Sequence, residues 1–272
     1  MMTSGKNEWS AIGKSVRGAT HIKNGLPCQD AIAIQKTETF CIVAISDGHG
    51  SSSCPYSDEG AVIAVQTALT VFDDIFDQPD SLNTLIANRD LWLPKQIEKI
   101  WKQKVQENHT QKRRNENDEN HENNEPANLP FSYELYGATL IVVVATLDFV
   151  FALQIGDGDI LMVDETTVDW LIAPDENLGP ETNSLCQHEC WQYMKTQILS
   201  LEKDNPMFLI ATDGYANSFY QSKDFAKVGS DFYSLLKEKG RNYIDENLES
   251  WLNTTSEKGS GDDITLAILL NE

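Results

Sequence analysis

Apolar residues along this chain fall into short runs that end at turn-forming or acidic residues. The runs AIAIQ (31–35) and FCIVAIS (40–46) are separated only by KTET, which predicts a β-hairpin. Three further runs, at 138–145, 149–155 and 159–163, are rich in Val, Ile, Leu and Phe. They are broken only by TLD and GDG, so we expect an antiparallel meander.

Helical periodicity marks the segments between these runs. Apolar residues recur at helical spacing in 59–76 and 91–105, and 224–254 is predicted to form two helices. Another buried strand is predicted within 206–214, and a last one follows GSGDD near the end of the printed sequence. Strands in adjacent pairs and helices in blocks favour an α+β fold with antiparallel sheets over a doubly wound parallel sheet.

The segment 106–130 interrupts this pattern. It consists almost wholly of Asn, Glu, Lys, Arg and His, and it has little apolar surface to offset the entropy of ordering. We therefore expect a flexible surface insertion within a single domain that spans residues 1–272. A basic nucleic-acid patch at Lys112, Arg113 and Arg114 is an alternative, but the acidic neighbours argue against it.

Net charge and cysteine content limit which classes of partner and which cellular compartment we expect for this protein. Lys plus Arg number 21 against 42 Asp plus Glu, a net charge of −21, which disfavours nucleic acid and anionic membranes as partners. The five cysteines are an odd, scattered set without CxxC, which favours a reducing compartment. The N-terminal residues lack a signal-peptide core and no run is long enough to span a bilayer, so we expect a soluble cytoplasmic protein, by default a monomer.

Two patterns in the sequence could hold a metal ion. The segment CQHEC could bind zinc through Cys186, His188 and Cys190, but a fourth ligand is missing and an ordinary surface segment is the simpler interpretation. The second pattern is a set of acids at strand ends: Asp30, Asp47, Asp157, Asp213 and Asp262.

These strand-end acids have a structural and a chemical interpretation. Asp-Gly at a strand end is a common turn, so one such pair means little. Five acids could share one cleft, and oxygen ligands without His or Cys suit Mg²⁺ or Mn²⁺. Two such ions about 4 Å apart are a recurrent device for phosphoryl hydrolysis.

Six ordered motifs carry a resemblance to a known family. The segments LPCQDAIAI, IVAISDGHG, YGATLIVVV, LQIGDGDI, FLIATDGYANS and GDDITLAIL resemble the metal-dependent protein Ser/Thr phosphatases of the PP2C (PPM) family, bacterial type. The resemblance covers roughly residues 11–270 apart from the insertion. It implies a β-sandwich of two antiparallel sheets flanked by α-helices, with metal ions bound at one end.

The resemblance also implies which residues hold two Mn²⁺ or Mg²⁺ ions. Asp47 matches the acid that bridges both ions, and the Gly48 carbonyl matches a ligand of one of them. Asp213 and Asp262 match the other ligands of the first ion. Asp157 matches a ligand of a third, weaker ion.

Two further positions match residues that act on the reaction itself. His49 matches the proposed general acid, which protonates the leaving alkoxide, and Asp30 matches an acid that orients metal-bound water. Asp263 stands where many members have Asn. Phosphate monoester cleavage needs a nucleophile at neutral pH and neutralised phosphate charge, and two divalent ions supply both.

Three departures from the family pattern concern phosphate and metal binding. Members commonly grip phosphate with an Arg shortly before the first acidic pair, and here Arg17, His21 or Lys23 could do so, with His21 favoured. Gln29 replaces an expected Glu, which weakens the water network of the second ion. Asn217 stands where many members have Asp, which puts the third ion in doubt.

The sequence therefore predicts a Mg²⁺- or Mn²⁺-dependent protein Ser/Thr phosphatase that uses a metal-bridging water and reverses the work of a partner Ser/Thr kinase. One alternative is a catalytically weak module of the same fold that binds phosphoproteins. Another is an aspartyl-phosphate (HAD-type) phosphatase, since DGD at 157–159, Thr212 and GDD at 261–263 mimic its motifs. Their positions in the chain do not suit that fold.

Overall fold

The structure is a computed structural model that describes residues 8–78, 80–118, 130–174, 182–201, 206–220 and 222–271. Within these ranges the chain forms ten β-strands in two five-stranded antiparallel sheets. The strands are β1 (Trp9–Val16), β2 (Ala31–Lys36), β3 (Phe40–Ser46), β4 (Leu140–Thr146), β5 (Phe149–Ile155), β6 (Asp159–Val163), β7 (Val168–Trp170), β8 (Lys195–Ser200), β9 (Met207–Ala211) and β10 (Ile264–Asn271).

The two sheets draw their strands from different parts of the chain. The first sheet has the order β1-β10-β9-β6-β7 and the second has the order β2-β3-β4-β5-β8. The predicted hairpin of β2 and β3 is confirmed, with Ala31 opposite Ser46. In the first sheet β1 pairs with β10 over its whole length, from Trp9 opposite Asn271 to Val16 opposite Ile264.

The continuous apolar runs arise because central strands are buried on both faces. Along β3, Cys41, Val43 and Ile45 pack into the core between the sheets, whereas Ile42 and Ala44 pack outward under helices. Side chains alternate between the two faces of a strand, so a strand covered on both sides needs apolar residues throughout.

Helices cover both outer faces. The helices are α1 (Ala19–Asn24), α2 (Ser57–Phe76), α3 (Ser81–Asn88), α4 (Trp92–Asp118), α5 (Asp213–Ala216), α6 (Ser222–Lys239) and α7 (Arg241–Lys258). Helices α2 and α4 pack on the second sheet, and α6 and α7 pack on the first. The predicted sandwich of two antiparallel sheets flanked by helices is confirmed. Among the described residues, no helix combines the length and apolarity that crossing a bilayer requires.

The predicted meander is wrong at its third strand. Strands β4 and β5 pair with each other, but β6 pairs with β9 and β7 in the other sheet. The chain changes sheet at the Gly-Asp-Gly turn, where Gly156 has φ of 110°, a left-handed conformation that favours glycine. This crossing places Asp157 between the two sheets at one end of the sandwich.

The predicted start of the insertion at 106 is also wrong. Helix α4 continues to Asp118, so residues 106–118 are helical, and residues 119–129 lie outside the described residues. His109 lies one turn after the buried Val105 and is itself buried. Its ring lies 5.2 Å from that of Phe131, and its Nδ1 lies 3.3 Å from the Tyr136 hydroxyl. One buried histidine in a polar run therefore continues the packed face of the helix.

Candidate active site

Four acids from separate elements meet at one end of the sandwich. Asp47 follows β3, Asp157 lies between β5 and β6, Asp213 opens α5 after β9, and Asp262 precedes β10. They share a cavity of about 260 Å³. The cavity is lined by His21, Gln29, Asp47, Gly48, His49, Gly50, Thr139, Asp157, Thr182, Asp213 and Asp262.

The backbone around Asp47 is fixed by the neighbouring strand. The Asp47 N–H donates to the Thr139 hydroxyl at 3.0 Å, and the Asp47 carbonyl accepts the Thr139 N–H at 2.8 Å. Gly48 follows, and a Cβ there would lie 2.6 Å from the Ser57 carbonyl oxygen and 2.9 Å from that of Gln29. Only glycine fits this close approach, so the turn that aims Asp47 at the cavity depends on it.

The carboxyl groups of Asp47 and Asp213 share a hydrogen bond. Burial raises the pKa of Asp47 well above its ordinary value, and the charges of Asp30, Asp213 and Asp262 add to the effect. Burial also raises the pKa of Asp213, although its hydrogen bond with Asp47 works in the opposite direction. Both carboxyl groups therefore hold protons more tightly than usual while no cation is present.

Asp30 lies behind these acids and does not line the cavity. It is 8% exposed, and burial raises its pKa to about 7, an effect that the nearby Thr265 and Thr212 side chains oppose. Its Oδ2 accepts the Thr212 hydroxyl at 2.8 Å, whereas its Oδ1 is buried without a hydrogen-bond partner. A buried carboxylate oxygen without a donor can accept a water or contact a cation.

His49 occupies the wall of the cavity. Its N–H donates to the Gly137 carbonyl at 3.1 Å, which fixes the loop that carries the imidazole. Burial lowers the pKa of His49 below its ordinary value, and the charge of Asp157 partly opposes this shift. Burial thus favours the neutral imidazole, and the neighbouring Asp157 offsets part of that preference.

Of the three candidates for phosphate binding, only His21 lines the cavity. Its Nδ1 lies 2.9 Å from Asp263 Oδ2, though not aligned as a hydrogen bond, and its Nε2 lies 3.8 Å from Asp262 Oδ1. Arg17 points elsewhere, with its guanidinium donating to the Leu26 carbonyl at 3.4 Å. Lys23 is exposed and outside the cavity lining.

Asp263 holds the segments on either side of helix α1, which carries His21. It is buried, and its two carboxylate oxygens accept the N–H groups of Gly18 and Gln29, each at 2.6 Å. An Asn here would turn an amide group toward one of these donors, because it has only one acceptor oxygen. The departure from the family's Asn therefore fits this site.

Asp157 and Asn217 have different hydrogen-bond partners. The Thr182 hydroxyl donates to Asp157 Oδ2, and the Asn217 side chain donates to Asp213 Oδ2 at 3.0 Å. Asn217 thus serves as a neutral donor to a carboxylate, where a second acid would add repulsion. Two residues of the cavity lining, Thr139 and Thr182, are not predicted from the sequence. Thr139 is marked in the sequence by a polar residue at the start of an apolar run, whereas Thr182 has no such signal.

The donor chemistry of the cavity fits Mg²⁺ or Mn²⁺. Three carboxylates (Asp47, Asp213 and Asp262) and the Gly48 carbonyl are hard oxygen donors of the kind these ions prefer. Within the described part of the chain, no three His, Cys, Asp or Glu side chains converge closely enough to form a site by themselves. Such ions do not need a cluster of three side chains, because they keep several waters and use backbone oxygens as well.

The side chains of the predicted zinc alternative lie in different environments. His188 is exposed, with 93% of its side chain accessible, whereas Cys190 is fully buried. These side chains therefore do not face a common point, and the described residues contain no zinc ligand set at 186–190. The five cysteines are free thiols.

Comparison with known proteins decides the family. A family model described as protein phosphatase 2C matches residues 17–253. The chain belongs to the protein phosphatase 2C family. The family resemblance of the six motifs is thereby confirmed, and the aspartyl-phosphate alternative is wrong. No curated protein sequence matches the chain.

Solved structures of bacterial phosphatases share the fold. PppA of Pseudomonas aeruginosa, described as a key regulatory component of T6SS, has a TM-score of 0.60 at 15% identity, covering 97% of this chain and 98% of that one. The S. agalactiae serine/threonine phosphatase has a TM-score of 0.60 at 16% identity, with coverage of 97% and 100%. The catalytic domain of the serine/threonine phosphatase PstP, solved with 2 manganese ions, has 0.57 at 12%, with coverage of 98% and 99%.

Proposed function

We propose that this member of the protein phosphatase 2C family is a Mg²⁺- or Mn²⁺-dependent phosphatase that hydrolyses phosphoserine and phosphothreonine in proteins. One observation carries the proposal. Four carboxylates from four elements meet in one cavity, and the pKa values of Asp47 and Asp213 are raised there because the charges are buried together. A site built at this electrostatic cost is suited to a cation of higher charge.

The residues have separate roles in this proposal. Asp47 would be the acid shared by the two ions, and the Gly48 carbonyl, Asp213 and Asp262 would complete the protein ligands. Asp157 is available for a third, weaker ion. When bound, the two ions lower the pKa of water and neutralise phosphoryl oxygens.

Two histidines complete the proposed chemistry. His49 donates a proton to the leaving oxygen of serine or threonine, which is a poor leaving group without protonation. His21 contacts the phosphate, since it is the only one of the three candidates in the cavity wall. Asp30 orients water through its Oδ1, the oxygen without a partner.

The implied partners follow from this substrate class. A protein that removes phosphate from serine and threonine acts on the products of a Ser/Thr kinase, so we propose a cognate kinase and a signalling role, with a cytoplasmic monomer as the working form. The similar PppA is described as a regulatory component of a secretion system, and this chain could serve an equivalent regulatory role. Net charge of −21 disfavours nucleic acid as a partner.

The deciding experiment is hydrolysis of p-nitrophenyl phosphate and of phosphoserine peptides with Mn²⁺ and with EDTA. We expect turnover of both substrates in Mn²⁺ and none after thorough chelation. Full activity in chelated protein would overturn the metal-dependent mechanism.

A catalytically weak phosphoprotein-binding module is the second candidate, and the neutral side chains of Gln29 and Asn217 in or beside the site favour it. Phosphopeptide binding without turnover in Mn²⁺ would support that alternative and contradict ours.

A further inference from the structure

The carboxylate of Asp30 has two unlike oxygens. The Oδ2 atom accepts a hydrogen bond from the Thr212 hydroxyl at 2.8 Å, whereas Oδ1 has no partner. The side chain is more than nine-tenths buried, so water in bulk cannot compensate the free oxygen. Which of the two oxygens stays without a partner therefore depends on how the carboxylate is held.

Thr212 is itself held in one orientation. Its N–H donates to the Thr265 carbonyl at 3.0 Å, and its hydroxyl oxygen accepts the Thr265 N–H at 2.9 Å. A hydroxyl has one proton to donate. The two acceptors within reach are Asp30 Oδ2 at 2.8 Å and the Thr265 carbonyl at 3.5 Å, which already accepts the Thr212 N–H. The proton is therefore directed to Asp30.

This arrangement joins distant parts of the chain. Thr212 immediately precedes Asp213, and Thr265 lies in β10 just after Asp262. The bond to Asp30 spans 182 positions in the sequence. The two strands that flank Asp213 and Asp262 therefore also fix the orientation of Asp30.

We propose that Thr212 is a positioning residue for the proposed hydrolysis, because its hydroxyl holds Asp30 Oδ2 and leaves Oδ1 as the acceptor for a reacting or bound water. The inference rests on the proposed function and adds a residue to it. Thr212 does not touch the substrate, since it is 3% exposed and outside the cavity lining. It acts through Asp30.

An isosteric substitution isolates the hydroxyl. Thr212→Val keeps the shape of the side chain and removes the donor to Asp30, whereas Thr212→Ser keeps the donor and removes a methyl group. Loss of a partner that orients a site residue costs about 10–100-fold in activity or metal affinity. We therefore expect kcat for p-nitrophenyl phosphate at saturating Mn²⁺ to fall about 10–100-fold in Thr212→Val, with KM within about threefold. Thr212→Ser should keep kcat within about threefold of the wild type.

The chain offers a matched control at another buried threonine. Thr67 in α2 is fully buried, and its hydroxyl has no hydrogen-bond partner. Thr67→Val makes the same chemical change away from the site and should leave kcat unchanged. The comparison separates a general effect of Thr→Val in the interior from the loss of one particular donor.

Each outcome decides the proposal. Wild-type kcat in Thr212→Val would overturn it, and so would equal losses in Thr212→Ser and Thr212→Val, which would indicate packing of the methyl group. An inactive wild type would instead refute the proposed function, and Mn²⁺ affinity measured by calorimetry would then decide this inference. Affinity reduced about tenfold in Thr212→Val but not in Thr212→Ser or Thr67→Val supports it, and unchanged affinity in all three overturns it.

Discussion

The core between the two sheets and the cavity at their end are made by the same strands, yet they have opposite chemistry. On β3, Cys41, Val43 and Ile45 are buried among apolar side chains, and two residues after Ile45 the chain reaches Asp47. The described residues that line the cavity include four aspartates and neither Lys nor Arg. The strands thus stabilise the folded state along their length, and the buried carboxylates at one end take away part of that stability.

Residues that stabilise the fold and residues with a proposed role in catalysis therefore lie only a few positions apart in the chain. Burial of apolar surface contributes roughly 25 cal/mol per Å², and the sheets supply that surface. Each pKa unit by which a buried carboxyl group is raised corresponds to about 1.4 kcal/mol between its two protonation states. Repulsion among the buried carboxylates therefore lowers the stability of the folded protein. Apolar burial in the core offsets this loss, and a bound cation would remove it.

The largest expected effect comes from removing the shared acid. Asp47→Asn should reduce kcat with Mn²⁺ by about 10³-fold or more, because it removes a ligand proposed to contact both ions. It should also raise the thermal midpoint of the metal-free protein, since it removes a carboxyl group whose pKa is raised by burial and by neighbouring carboxylates. Steady-state kinetics and thermal melts measure the two effects.

Asp148→Asn is the matched control for this variant. Asp148 is exposed in the β4–β5 hairpin, at the opposite end of β4 from Thr139. The control should change neither quantity. A fully active Asp47→Asn protein would contradict the proposed ligand set.

The next largest effect tests the role of His49 in the cavity wall independently of the proposed metal ligands. His49→Gln should lower kcat for phosphoserine peptides by about 10²–10⁴-fold, because the serine alkoxide needs a proton to leave. Hydrolysis of p-nitrophenyl phosphate should suffer much less, since its leaving group is acidic. Equal losses on both substrates would remove His49 from the general-acid role and leave the metal ligands unaffected.

A substitution in the core should lower stability and leave turnover nearly unchanged. Leu269→Ala removes a fully buried side chain between the sheets and should lower the free energy of unfolding by about 2–5 kcal/mol. Turnover per folded molecule should stay within about twofold of the wild type. Denaturant unfolding and active-site-normalised kinetics measure both quantities.

Leu147 provides the comparison for this change. It is 62% exposed in the same molecule, and Leu147→Ala should cost less than about 0.5 kcal/mol. If Leu269→Ala lowered kcat as strongly as Asp47→Asn, the separation between core and site would not hold.

The smallest expected effect is the dependence of stability on pH in the absence of metal. Burial raises the pKa of Asp30 to about 7 and also raises the pKa values of Asp47 and Asp213. Between about pH 4 and pH 7 the folded protein therefore binds more protons than the unfolded chain, and stability falls as pH rises through this window. In EDTA the thermal midpoint should fall by roughly 5 °C from pH 5 to pH 7.5.

Added Mn²⁺ should raise the midpoint more at pH 7.5 than at pH 5, because the ion competes with protons for the same carboxylates. Scanning calorimetry at both pH values, with and without the ion, checks this. A midpoint in EDTA that rises with pH over this range would show that the carboxylates are not buried together.

Much of the fold was predictable because burial on both faces leaves a clear signal. The runs that became β3, β4, β5, β9 and β10 are continuous and apolar, and α2 has helical periodicity. Not every edge strand has this signal, because an edge strand is partly open to solvent. Strands β1 and β8 are mixed in polarity and were missed for that reason.

The candidate site was predictable in its acids and less so in its supporting side chains. The acids stand out because a carboxylate at the end of an apolar run is unusual. The transfer of β6 to the other sheet was not visible, because a Gly-Asp-Gly turn also suits a hairpin. Thr212 gave no separate signal, since its role depends on an acid 182 positions away.

The pairing of β1 with β10 has a consequence for biosynthesis. Asp263 accepts N–H groups from Gly18 and Gln29, which lie 245 and 234 positions earlier in the sequence. Such contacts form only after both partners have left the ribosome, and folds dominated by distant pairings form slowly. A nascent chain that carries the first nine strands therefore has an unpaired edge on β1 and an incomplete cavity. The cavity can be completed only when translation has passed Asp263. Emergence of β10 therefore sets the earliest moment at which the protein can bind its ligands.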